Sequence, residues 1–224
     1  HIGNQKGGVL VALKQSFANR FSSITPTEII AGRVLKLTLR NSHRECLNVV
    51  GCYMSADNST HRKEDIDAVM RGLDRKAHNL VLGAFNFTMH RGDRFSAGRV
   101  NKWDTEADVE ANHWHRNTPA GMELTEIYQP KTTYFHTERT SRLDRVYTSL
   151  PFADTAGMKI SAATLDHVVQ SDHKPVRFEM LVDIPPPSGP PKLSEWTFHH
   201  PSYRRAVMEL YRPDDPRRDS ETAT

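Results

Sequence analysis

The chain has 224 residues and a mass of 25.5 kDa, room for one sizeable domain or two small ones. Its hydrophobic content is 37%, below the near-half usual for a soluble domain; its formal charge of +3 is too slight to establish a nucleic-acid partner. No stretch approaches the ~20 consecutive apolar residues of a membrane-spanning helix, and two cysteines, Cys46 and Cys52, exclude a disulfide framework and a four-cysteine zinc site.

The opening His1-Ile-Gly-Asn-Gln-Lys-Gly-Gly has no apolar core behind a basic cap, so it does not read as a signal peptide. This start also lacks a Met, so the chain is expected to be a processed piece or a fragment of a longer protein. Val9–Leu13, Ile29–Leu39 and Cys46–Tyr53 are rich in β-branched or alternating apolar residues and read as strands. Cys46 and Cys52, six apart, would share one strand face as small core residues in a reducing compartment. Ile66, Val69, Met70 and Leu73 recur at helical spacing and predict an amphipathic helix over Arg62–Leu73. Leu80–Leu82 reads as a buried strand running into Gly83. Arg91–Asn117 is polar and reads as part helix, part surface loop. Further strands are expected at Lys131–His136, Arg142–Thr148 and Val176–Val182. Strands interleaved with helices indicate an α/β or α+β domain.

Proline sets the main boundary. Of thirteen prolines, eight fall in the last forty residues, and Pro185-Pro-Pro-Ser-Gly-Pro-Pro191 must be extended, since each ring fixes φ and removes a donor. Residues 1–183 are therefore expected to form the main domain, 184–192 a linker, 193–211 a short helical segment and 212–224 a disordered tail.

Four short signals carry chemistry. Gly83-Ala-Phe-Asn86 follows an apolar strand, where a glycine permits a sharp turn at the strand's C-terminal end. Ser141-Arg-Leu-Asp-Arg-Val-Tyr147 places Asp144 between two arginines, either as a surface ion pair or as a carboxylate that orients a histidine or helps bind a metal. In an extended run Arg142, Asp144 and Val146 would share one face. Ser171-Asp-His-Lys-Pro-Val176 holds a carboxylate and an imidazole in a restrained loop before proline, suited to work at a phosphoester. Tyr53 ends a strand, either simply packed there or donating to a phosphate oxygen.

In this order, with His1 and Gly7-Gly-Val9, these signals resemble the endonuclease/exonuclease/phosphatase superfamily, which includes exonuclease III-like abasic-site endonucleases. The resemblance covers roughly residues 1–182. Within that superfamily the chain is most similar to the endonuclease domain of a non-LTR (LINE-type) retrotransposon, through the Ser-Arg-Leu-Asp-Arg wording and the tail Leu193-Ser-Glu-Trp-Thr-Phe-His-His-Pro-Ser-Tyr203. The resemblance implies a four-layer α/β sandwich, with two mixed sheets packed face to face and helices outside. It implies hydrolysis of a phosphoester by water with Mg²⁺ (or Mn²⁺). His173 would contact the phosphate, Asp144 would orient it, and Asp172 would lie by the metal. Tyr53, Arg142 and Ser171 would touch substrate phosphate, and Asn86 would match the Asn of the family's Gly-Asp-Phe-Asn.

Two departures stand against these matches. Ala84 occupies the position of the family's water-activating Asp, and the chain begins at what resembles the His of a Gln-Glu-Thr-His turn. The metal-binding Glu and an N-terminal strand are therefore expected upstream and missing, with metal binding weakened and activity impaired. The expected partner is nucleic acid, duplex DNA first, with no membrane. A reverse transcriptase domain on the longer protein and an intracellular, nuclear setting go with it. Arg91, Arg94, Arg99, Lys102, Arg139 and Arg142 would gather beside such a site. The alternatives are a small-molecule or lipid phosphatase of the same superfamily and a non-catalytic nucleic-acid-binding domain.

Overall fold

Alternation of apolar residues along three neighbouring strands builds the centre of the molecule. The structure is a computed structural model that describes residues 8–43, 45–96, 108–136, 139–151, 159–165, 171–181 and 201–210. Six strands form one mixed sheet: β1 (Ser23–Ile30), β2 (Val34–Arg40), β3 (Cys46–Tyr53), β4 (His78–Ala84), β9 (Asp144–Thr148) and β6 (Thr125–Glu126), in that spatial order. Only β3 and β4 pair in parallel; the other neighbours are antiparallel. A parallel pair needs a crossover, and α2 (Ser59–Gly72) supplies it. Its N-terminus is capped by Asn58, whose side chain accepts from the His61 amide at 2.9 Å.

The period of two along β3, β4 and β9 divides the core. Val50, Cys52, Val81 and Tyr147 face α2 and α3 (Val109–Asn117), where they meet Ile66, Val69, Phe85, Phe87 and Trp114. Leu80, Leu82 and Val146 face the opposite way, against Ile127 and against the antiparallel pair β10 (Lys159–Thr164) and β11 (Val176–Leu181), through Ile160, Ala162 and Phe178. Helices, the mixed sheet and a second sheet therefore stack in layers, as an α/β sandwich requires. Among the described residues the second sheet is this pair alone. A third, three-stranded sheet joins β5 (Arg94–Ser96), β8 (Arg139–Ser141) and β7 (Tyr134–His136).

Several expected elements shift for local reasons. Val9–Leu13 is not a strand: no regular element precedes α1 (Gln15–Ala18) among the described residues. Val9 and Val11 instead lie over Gly51, so close that a Cβ on that glycine would come within 2.9 Å of Val9. Ile29–Leu39 is a hairpin rather than one strand, because Ala31–Arg33 turn and the Glu28 carboxylate takes the Gly32 amide at 2.7 Å. Arg142–Thr148 is not continuous either. The chain leaves β8 at Ser141 and enters β9 only at Asp144, so Arg142 lies off the strand. Arg91–Asn117 resolves into a 3-10 turn at Arg91–Asp93, β5 and α3, with Arg99, Lys102 and Trp103 outside the described residues.

The chain divides into two compact units, His1–Val182 and Asp183–Thr224. The second contains α4 (Pro201–Leu210), inside the segment expected to be helical. His1, Gly7, the linker 184–192 and the tail 212–224 lie outside the described residues. No helix among the described residues is long and apolar enough to cross a membrane.

Candidate functional site

Tyr53, Ala84 and Asp144 stand side by side across three adjacent strands, at the rim of the mixed sheet. Ala84 and Asp144 are antiparallel partners, so their side chains leave the same face. This is the face of Leu82 and Val146, toward β10 and β11. Gly83 makes the rim possible. Its φ is +139°, and a Cβ there would sit 1.9 Å from the Cys52 carbonyl oxygen, a conformation and an approach open only to glycine. The strand then ends: the Phe85 amide bonds the Leu143 carbonyl at 2.9 Å. Asn86 takes φ +54°, and its side chain donates to the Met54 carbonyl at 2.6 Å.

Opposite this row lies the loop before β11. Asp144 and His173, 29 residues apart in sequence, meet at 2.8 Å between Oδ2 and Nδ1. Both are half-buried. The hydrogen bond that His173 donates to Asp144 raises the His173 pKa above its ordinary value; burial opposes this, and the charges of Asp144 and Asp172 add to it. The loop is pinned to the small sheet by an antiparallel bridge between His173 and Tyr134. It sets the two rings 5.0 Å apart. Ser171 Oγ accepts the His173 amide at 3.0 Å and so shapes the turn. Asp172 is exposed, and its carbonyl accepts the Phe135 amide. A cavity of about 360 Å³ opens beside the pair, lined by Leu82, Gly83, Val146, Lys174, Pro175 and Val176 among others. Its walls are mixed: Leu82, Val146, Pro175 and Val176 are apolar, while Arg145 and Lys174 bring positive charge beside the pair.

Arg142 corrects the expectation of a phosphate contact. It is 1% exposed, and its guanidinium is spent on Asp93 (Nε to Oδ1, 2.7 Å), on Glu126 and on the face of Tyr128. Arg145 is as deeply buried and closes the same network, donating to Asp93 Oδ2 at 2.8 Å and to the Phe87 carbonyl at 2.7 Å. Burial alone would push Asp93 upward, but the Arg145 and Arg142 charges outweigh it and hold its carboxyl below the usual range. The two arginines of the Ser141–Tyr147 motif therefore anchor the turn from which Asp144 emerges. Of the other bases expected beside the site, Arg139 is exposed on β8, whereas Arg94 is paired with Asp108 at 2.7 Å. Asp93, Tyr134 and Lys174 were not singled out from sequence. Only the Arg-Gly-Asp-Arg turn gave any local hint of Asp93, and nothing local tied Tyr134 to a histidine 39 residues later.

The implied Mg²⁺ finds a poor donor set. Asp144 is committed to His173, the Ala84 side chain beside it has no oxygen and its carbonyl already takes the Met54 amide, and Asp172 is exposed. Among the described residues, no group of three or more His, Cys, Asp or Glu is placed to hold a metal ion. Mg²⁺ asks for near-octahedral oxygen ligands anchored by one or two carboxylates. These residues do not fit a firmly held ion.

No family model matches the chain, and neither does any curated protein. Among solved structures it is similar to the endonuclease domain of TRAS1, a telomere-specific non-LTR retrotransposon, at 16% identity and a TM-score of 0.48. That match covers 70% of this chain and 65% of the TRAS1 domain. An AP endonuclease from Archaeoglobus fulgidus matches at 11% identity and a TM-score of 0.48, over 68% of this chain and 66% of its own. An endonuclease/exonuclease/phosphatase family protein from Leptotrichia buccalis matches at 13% identity and a TM-score of 0.47, over 72% and 62%. The structures to which this chain is similar thus include proteins of the endonuclease/exonuclease/phosphatase type.

Proposed function

We propose that this chain is a nucleic-acid-binding domain of the phosphoester-hydrolase type, a retroelement endonuclease domain whose turnover is impaired at Ala84. One observation carries the reading: a carboxylate and an imidazole from two separate motifs converge at 2.8 Å on the rim of a cavity. With Nδ1–H donated to Asp144, the protonated ring keeps an Nε2–H free to donate to a phosphate oxygen. Ala84 stands next to Asp144 on the same face, where a carboxylate could take a proton from water and a methyl group cannot. General acid–base help is worth about 10²–10⁴-fold in rate, so binding should outlast turnover. Duplex DNA is the proposed ligand. A nuclear setting and a reverse transcriptase domain on the longer protein belong to the same proposal. Mg²⁺ or Mn²⁺ would bind weakly through Asp172.

The test is fluorescence anisotropy of a labelled duplex with the chain in EDTA, across a salt series. Affinity should fall steeply and log-linearly with salt and resist competition by a sugar phosphomonoester. Displacement by the phosphomonoester would favour a small-molecule phosphatase. Absence of duplex binding at low salt would overturn the proposal.

A further inference from the structure

We infer that Thr133 is a positioning residue for the Asp144–His173 pair, holding both members through one side chain and one peptide group. It is wholly buried and lies in neither strand, just before β7. Its hydroxyl oxygen accepts two amides, those of Leu143 and Asp144, each at 3.0 Å. These fall where the chain crosses from β8 to β9 and leaves the regular strand ladder. Its carbonyl accepts the Lys174 amide at 2.7 Å, and its own amide donates to the Ser141 carbonyl at 2.9 Å. The bonds close a ring: Thr133 to the Asp144 backbone, across the 2.8 Å side-chain contact to His173, and back through Lys174 to Thr133.

That geometry leaves little freedom. The Thr133 hydroxyl holds the backbone of Asp144, and the Thr133 carbonyl holds the amide of Lys174, the residue that follows His173. Removing the hydroxyl would leave two half-buried amides without their acceptor at the point from which the carboxylate projects, and such unmade bonds are costly. The backbone there would move to find partners, and the Asp144–His173 distance would move with it. The importance of the residue rests on the pair being the working centre proposed above; its effect on the pair does not.

The experiment reads the pair directly, without activity. In EDTA-treated protein at one mildly acidic pH, the His173 Nδ1–H proton should give a slowly exchanging downfield NMR signal, assigned by its loss in His173→Ala. Thr133→Val, nearly isosteric but without an acceptor, should lose or shift that signal while far-UV circular dichroism stays native. Thr133→Ser should keep it. A folded Thr133→Val protein with an unchanged signal would overturn the inference, as would loss of the signal in Thr133→Ser. Should Thr133→Val not fold, hydrogen exchange on the unaltered chain decides. The Leu143, Asp144 and Lys174 amides should open as one unit, and independent exchange of Lys174 would overturn the inference. An intact signal in a chain that binds no DNA would defeat the proposed function and leave the positioning role standing.

Discussion

His173 gains from Asp144 a partner that it lacks in an unfolded chain, and this makes the pair sensitive to pH in a defined direction. Its folded-state pKa lies above the ordinary value of about 6.5. The pair therefore adds stability in full below that ordinary value and loses it as pH rises through the raised one. NMR titration of the His173 ring in EDTA should give a midpoint above the ordinary range. Asp144→Asn should bring that midpoint back down, and an unchanged midpoint in that variant would mean that the hydrogen bond is not the cause. Asp93 behaves in the opposite sense. Its depressed carboxyl contributes stability above its unfolded pKa and loses it as pH falls through the folded value. Asp93→Asn leaves two buried guanidiniums short of their shared charge and should cost about 3–5 kcal/mol, read from urea unfolding at neutral pH.

At the scale of elements, the exit of β4 is the most demanding feature. Gly83→Ala would force a Cβ onto the Cys52 carbonyl and hold φ where side chains are strained, so the cost should exceed the ~1–3 kcal/mol of a strained backbone position alone. Thermal melts of Gly83→Ala against Ala31→Gly, a turn control, measure it. Trp114, wholly buried between α3 and the sheet, should cost about 3–5 kcal/mol as Trp114→Ala. The elements legible in sequence are those whose pattern is local and whose burial is one-sided. The β3 strand matches its expected bounds, and α2 differs from its expected span only at the ends. Only the end of β1 lies within an expected strand, because its first six residues, with Pro26 among them, are exposed and carry no core-facing alternation, as an edge strand permits. The meeting of Asp144 with His173 could be anticipated because two motifs carried it. The burial of Arg142 could not, since its partner Asp93 lies 49 residues away and no short pattern links them. Thr133 had no signal at all, its importance residing in bonds made by an ordinary side chain at a strand crossing.

At the scale of the whole molecule, the sheet rim brings together Tyr53, Ala84 and Asp144 on adjacent strands, with His173 against Asp144 and a cavity beside them. In the proposed function this rim serves phosphoester chemistry, and Ala84 is where a carboxylate is lacking. The central claim, a nuclease-type site impaired in turnover, is tested most directly by nicking of supercoiled plasmid DNA with Mg²⁺, with and without EDTA. The unaltered chain, Ala84→Asp, and Ala84→Asp combined with His173→Ala are compared at equal concentration. Under the proposed function, no nicking above background is expected of the unaltered chain. At most weak, EDTA-sensitive nicking is expected of Ala84→Asp, with Asp172 as the proposed weak hold on the ion, and its loss when His173 is removed. Robust EDTA-sensitive nicking by the unaltered chain would contradict it.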